Sequence, residues 1–191
     1  FKEHAVLDAG TIRLDGTDLL KLTEREMRQV QGNRIGMIFQ EPMTALNPTM
    51  KIGRQVEEVL RLHTDLDSRA RKAAVIRALE EVELDEAEKL LFKYPHELSG
   101  GMRQRVMIAA AMICRPSLLI ADEPTTALDA ATQESILKLL KKLNDKYGMS
   151  ILFISHNLRV VKELCTRVFV MKDGEILEEG ETEVVFQNPK T

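Results

Sequence analysis

Apolar and polar positions along the 191 residues follow two rhythms. Short continuous apolar runs occur at Ile35-Gly36-Met37-Ile38-Phe39, at Leu118-Leu119-Ile120-Ala121 and at Ser150-Ile151-Leu152-Phe153-Ile154. They are too short for helices and read as buried strands, the second covered on both faces. Helical spacing governs the rest. Ile52, Val56, Val59, Leu60 and His63 line one helix, and Ala70, Ala73, Ala74, Ile76, Ala78, Leu79 and Val82 line another behind an Asp67-Ser68 cap. A long helix over 130–147 turns Ile136, Leu137, Leu140 and Leu143 inward and ends at Gly148. Thr23-Glu24-Arg25-Glu26 has the form of a capping box opening a helix to about Val30. Prolines set limits: Pro42 closes the first apolar run, Tyr94-Pro95 ends a short helix from Glu86 to Phe92, and Pro116 stops a helix from about Gly101 to Cys114. A further helix spans Leu158 to Leu164. Thr11 to Gly16 reads as a strand entering an Asp-Gly turn, and Arg167–Met171 and Glu175–Leu177 as two strands joined at Asp173-Gly174.

Strands alternating with helices after Pro95 predict an α/β fold with a mostly parallel sheet. The expected organisation is an antiparallel β portion plus the core strand that leads into Gln40 over residues 1–48, a helical subdomain over 49–97, and the remaining α/β core over 98–191. Composition is that of a globular protein, 44% hydrophobic and 30% charged. With 27 basic and 30 acidic residues, net −3, nothing favours non-specific nucleic-acid binding. No apolar run approaches the ~20 residues needed to cross a bilayer, and Phe1-Lys2-Glu3-His4 has no signal-peptide pattern. A membrane role would therefore come through a partner. Cys114 and Cys165 lack metal-type spacing and read as buried, reduced thiols of a cytosolic protein.

Chemistry-bearing residues follow the apolar runs. Asp122-Glu123 closes a buried strand, and strand ends in open α/β sheets line the ligand crevice. The pair reads either as solvated acids or as a Mg²⁺ ligand beside a water-activating base. Ser99-Gly100-Gly101 before a helix is either an ordinary N-cap with a glycine turn or an anion site. His156 is a structural histidine or a phosphate donor. Gln40 is a polar loop residue or a ligand to metal or water.

The ordered set decides among these readings. Leu98-Ser99-Gly100-Gly101-Met102-Arg103-Gln104-Arg105 resembles the signature of the ATPase domain of ABC transporters. Leu118 to Glu123 resembles its Walker B strand, Ala127-Leu128-Asp129 its D-loop, His156 its switch histidine and Gln40 its Q-loop glutamine. The likeness runs over nearly the whole length. Phe39 to Pro48 and Val185 to Pro189 are similar to the oligopeptide, dipeptide and nickel importer branch. The resemblance implies a P-loop NTPase-like fold with ATP and Mg²⁺ as cofactors. It implies Glu123, His156 and Gln40 as catalytic residues, and Ser99, Gly100, Gly101, Gln104, Asp122 and Asp129 as nucleotide-contacting residues. Asp122 and Gln40 would serve the metal. It implies a head-to-tail dimer with a second ATPase subunit, Asp129 meeting the partner copy. Transmembrane permease subunits would dock on the Gln40 segment and helical subdomain, at the cytoplasmic face of the membrane. The alternatives are a non-transport ATPase of the same family and a non-catalytic scaffold fragment.

One feature of the family pattern does not occur. No Gly-x-x-x-x-Gly-Lys-Ser/Thr stands anywhere: the glycines at 10, 16, 32, 36 and 53 lack the Lys-Ser or Lys-Thr. The resemblance puts that phosphate loop upstream of the Gln40 strand, hence before Phe1. The reading is a fragment of a longer chain, without the first core strand and phosphate loop. It should bind Mg-ATP weakly alone and leave a sheet face or edge uncovered, which favours self-association.

Overall fold

The computed structural model describes residues 9–126 and 128–190, and for Pro42 and Met43 the backbone only. Ala127 of the expected D-loop lies outside the described residues. The elements in order are β1 (Arg13–Leu14), β2 (Thr17–Asp18), α1 (Glu24–Val30), β3 (Ile35–Ile38), α2 (Pro42–Ala45), α3 (Ile52–His63), α4 (Ser68–Glu81) and α5 (Ala87–Leu90). They continue as α6 (Gly100–Met112), β4 (Leu118–Asp122), α7 (Ala130–Tyr147), β5 (Ser150–Ile154), α8 (Leu158–Leu164), β6 (Arg167–Lys172), β7 (Glu175–Glu181) and α9 (Thr182–Gln187).

Local chemistry accounts for most boundaries. Thr23 and Glu26 form the expected capping box, Glu26 Oε2 accepting from Thr23 N at 2.8 Å and Thr23 Oγ1 accepting from Glu26 N at 3.3 Å. Asp67 caps α4 through Ala70 N at 2.7 Å, and Gly148 ends α7 in the left-handed conformation that glycine adopts at no steric cost. The opening strand is shorter than the alternation predicts: β1 and β2 are two residues each, a small hairpin around Asp15-Gly16. The helix expected from Glu86 to Phe92 shrinks to the single turn α5. The closing hairpin is longer than expected, since β7 runs on to Glu181.

The central sheet is parallel, in the order β3-β4-β5, with Ile38 opposite Ala121 and Ala121 opposite Phe153. One face packs on α6 and α7. Ile38, Leu119 and Ala121 are fully buried there, continuous with Ile108, Ile136, Leu139 and Leu140. Gly36 lies so close to α6 that any Cβ would overlap the Ala111 carbonyl and press on Pro116. The helical subdomain joins the same core through Ile52, Val56, Val75 and Leu79. The opposite face of the sheet is open among the described residues. Strand alternation puts Met37, Ile120, Leu152 and Ile154 on it, and Leu152 and Ile154 are 47% and 46% exposed. A strand covered on both faces is expected at 118–121; β4 instead buries Leu119 and Ala121 on one side and leaves Leu118 and Ile120 half-buried on the other, and in β5, read as a buried strand, Leu152 and Ile154 are exposed. Both cysteines are half-buried, and burial pushes each thiol above its ordinary pKa.

Candidate active site

Parallel pairing carries the carboxyl ends of β3, β4 and β5 to one edge of the sheet. Gln40 stands two residues beyond β3. Asp122 is the last residue of β4, in register with Ile154, and the backbone N–H of Glu123 donates to the Ile154 carbonyl at 2.9 Å. His156 follows two residues after Ile154. Three side chains distant in sequence thereby meet. Gln40 Nε2 donates to Glu123 Oε2 at 2.8 Å, and His156 Nδ1 lies 2.7 Å from Glu123 Oε1. Thr126 Oγ1 adds a donor to Oε2 at 3.0 Å. The His156 contact first, then Thr126, holds the Glu123 carboxyl below the usual carboxylate range. Glu123 also has φ +42°, the left-handed region that a residue with a side chain enters only where its surroundings impose it.

Asp122 is half-buried, and no described side chain bonds its carboxylate. Alternation places it on the open face of the sheet, beside Ile120. Oxygen donors from Asp122 and Gln40 suit a hard divalent cation.

Ser99, Gly100 and Gly101 do not join this cluster through any hydrogen bond. Ser99 caps α6, its Oγ accepting from Met102 N at 3.2 Å. Arg103 donates to the Leu98 carbonyl at 2.9 Å and fixes the approach to the cap. The first turn of α6 packs on the start of α7: a Cβ on Gly101 would stand 2.8 Å from Thr132 Cγ2. Glycine is needed there for close approach, whatever ligand the helix end takes. Asp129 caps α7, and both its oxygens are engaged by Thr132, from the amide at 3.0 Å and the hydroxyl at 2.7 Å. Gln104 departs from expectation. It is 1% exposed and its Nε2 has no partner. Helical periodicity explains this, because Gln104 shares the inward side of α6 with Ile108, Ala111 and Met112. Its side chain is buried in the core among the described residues. Thr126, in contrast, was not expected at the site; its only sequence signal is its place three residues after Glu123.

The profile of the ABC transporter family matches residues 2–126. The chain belongs to that family. A protein of Brucella ovis named for peptide import and ATP binding is 51% identical over 189 residues, covering 96% of this chain and 56% of the relative. The oligopeptide transport ATP-binding protein OppD of Bacillus subtilis is 50% identical over 181 residues, covering 95% of this chain and 51% of that one. The chain thus spans about half the length of the curated relatives it matches. Among solved structures, the dimeric ATP-binding cassette MJ0796, in a post-hydrolysis state bound to ADP and Pi, superposes with a TM-score of 0.80. It shares 31% identity, over 92% of this chain and 74% of that one. The α/β cassette fold expected from the sequence is therefore the fold observed. No helix among the described residues is long and apolar enough to cross a membrane.

Proposed function

We propose that this chain is the greater part of the ATP-hydrolysing, energy-coupling domain of an ABC importer that takes up peptides. The convergence of Gln40 and His156 on Glu123, at 2.8 and 2.7 Å, carries the reading. A carboxylate kept ionised at neutral pH by such donors can accept a proton from water or polarise it for attack on a phosphoryl group. Peptide rather than nickel is the cargo favoured by the names of the relatives. Mg²⁺, when bound, would neutralise phosphate charge; Asp122 and the Gln40 side-chain oxygen are the residues that would hold it. His156 would reach a phosphate oxygen. Ser99 and the glycine turn of α6 form an exposed helix N-terminus suited to an anion presented by a second ATPase subunit. The dimeric relative supports such pairing. Permease subunits at the cytoplasmic membrane face would contact the Gln40 segment and the helical subdomain.

The test is Glu123→Gln in the full-length protein reconstituted with its permease partners. ATP should still bind while turnover and peptide uptake disappear. Wild-type turnover in that variant would reject the reading.

A further inference from the structure

Three donors hold the Glu123 carboxylate, and they are not equivalent. Gln40 and His156 lie 83 and 33 residues away in sequence, and, like Thr126, both side chains are exposed. Each hangs on a loop beyond a strand end. Thr126 is three residues away, inside a turn closed by its own N–H donating to the Glu123 carbonyl at 3.3 Å. Its branched side chain has little χ1 freedom. The same turn begins with the left-handed backbone of Glu123 at φ +42°, anchored by the 2.9 Å bond from Glu123 N to the Ile154 carbonyl. The kinked backbone and the Thr126 hydroxyl therefore act on one side chain from its two ends.

Building on the ATPase reading above, we infer that Thr126 is a positioning residue for Glu123. Its hydroxyl shares Oε2 with the Gln40 amide, and no other described side chain donates to that oxygen. When Gln40 turns toward another partner, Thr126 still holds Oε2, and the carboxylate keeps its aim at the attacking water. Thr126 itself touches no reacting atom. It acts through Glu123.

The experiment compares Thr126→Val, which keeps the volume and removes the hydroxyl, with Thr126→Ser, which keeps the hydroxyl, both in the full-length protein. Steady-state ATP turnover and crystal structures are read for each. Valine should lower kcat about tenfold with KM for ATP unchanged, the kind of loss that misplacement of a reacting group by less than 1 Å produces. In its structure the Glu123 carboxylate should leave the position found here. Serine should stay within about twofold of wild type with Glu123 in place. A valine variant with wild-type kcat and an unmoved carboxylate overturns the inference, as does a serine variant as slow as valine. If Glu123→Gln leaves turnover intact, the ATPase reading is what has failed. The carboxylate position in the valine and serine structures then still decides whether Thr126 places it.

Discussion

His156 Nδ1 lies 2.7 Å from Glu123 Oε1, an imidazole after one strand meeting the carboxylate after its parallel neighbour. The contact orients both groups, so their contributions to hydrolysis should not be independent. In the full-length protein, His156→Ala should slow ATP turnover by about 100-fold, within the range usual for a positioned acid–base group. Combining it with Glu123→Gln should slow turnover little beyond Glu123→Gln alone. Multiplicative losses in single-turnover assays would show that the two residues act separately.

The 191 residues alone should bind Mg-ATP poorly. They carry no glycine-rich loop with a lysine for the β- and γ-phosphates, and each charge-assisted bond of that kind is worth about 1.5–3 kcal/mol. Titration calorimetry should find no saturation below about 1 mM ATP, a limit near −4 kcal/mol of binding. Micromolar binding would contradict this.

The open face of the central sheet should drive self-association of the same 191-residue chain. Leu152 and Ile154 present apolar side chains there, and contiguous exposed apolar surface is usually covered by a partner. Light scattering should report species larger than a monomer at about 100 µM. Leu152→Glu, at a position already half in water, should shift them toward monomer without lowering the helical circular dichroism signal.

A polar clamp ties the helical subdomain to the core. Arg105 of α6 donates to the Val82 carbonyl at 2.6 Å, to Glu83 at 3.1 Å and to Ser135 of α7 at 2.7 Å. Its side chain is only 15% exposed. Arg105→Ala removes these bonds and leaves a carbonyl without its partner, so urea unfolding should show a loss of about 2 kcal/mol. Lys138→Ala, which breaks only the exposed Glu134 pair, should leave the urea midpoint close to that of the wild type.

The same region sets an acid limit. Burial pushes the Glu81 carboxyl up, but bonds from Tyr147 and Lys146 and the charge of Arg115 outweigh it, and the net pKa is lowered. Lys142 and Arg105 lower Glu83. A depressed folded-state pKa contributes stability that is complete above the unfolded value, near 4.3 for Glu. It is lost as pH falls through the lower folded values. Urea midpoints should therefore fall on acidification below about pH 4.3, and less steeply in a Glu81→Gln, Glu83→Gln double variant.

Much of this was legible from residue order. The capping box at Thr23, the glycine stop at Gly148 and the proline at 116 are local devices, and the helices and strands near them appear close to where the pattern puts them. The misses have a common source. Gln104 sits inside a motif whose wording suggests a ligand surface, yet its direction is set by the phase of α6 against the sheet. The run at 118–121 is apolar enough for two covered faces, but what covers a face is decided by neighbouring elements. Glu86 to Phe92 has helical composition, but Glu86 is left-handed and the Leu91 and Lys93 carbonyls accept from Gly53 N and Ile52 N of α3, so one turn of helix remains.

Residue types and their spacing determined which groups stand at the strand ends and helix starts, because apolar runs, caps and breakers act over a few residues. Tertiary structure alone decided that Gln40 and His156 bond one carboxylate while Ser99 stands apart. It also decided that Thr126 completes the hold on Glu123. Those relations depend on the register of three parallel strands and on a left-handed backbone at Glu123, which arise from contacts between segments dozens of residues apart.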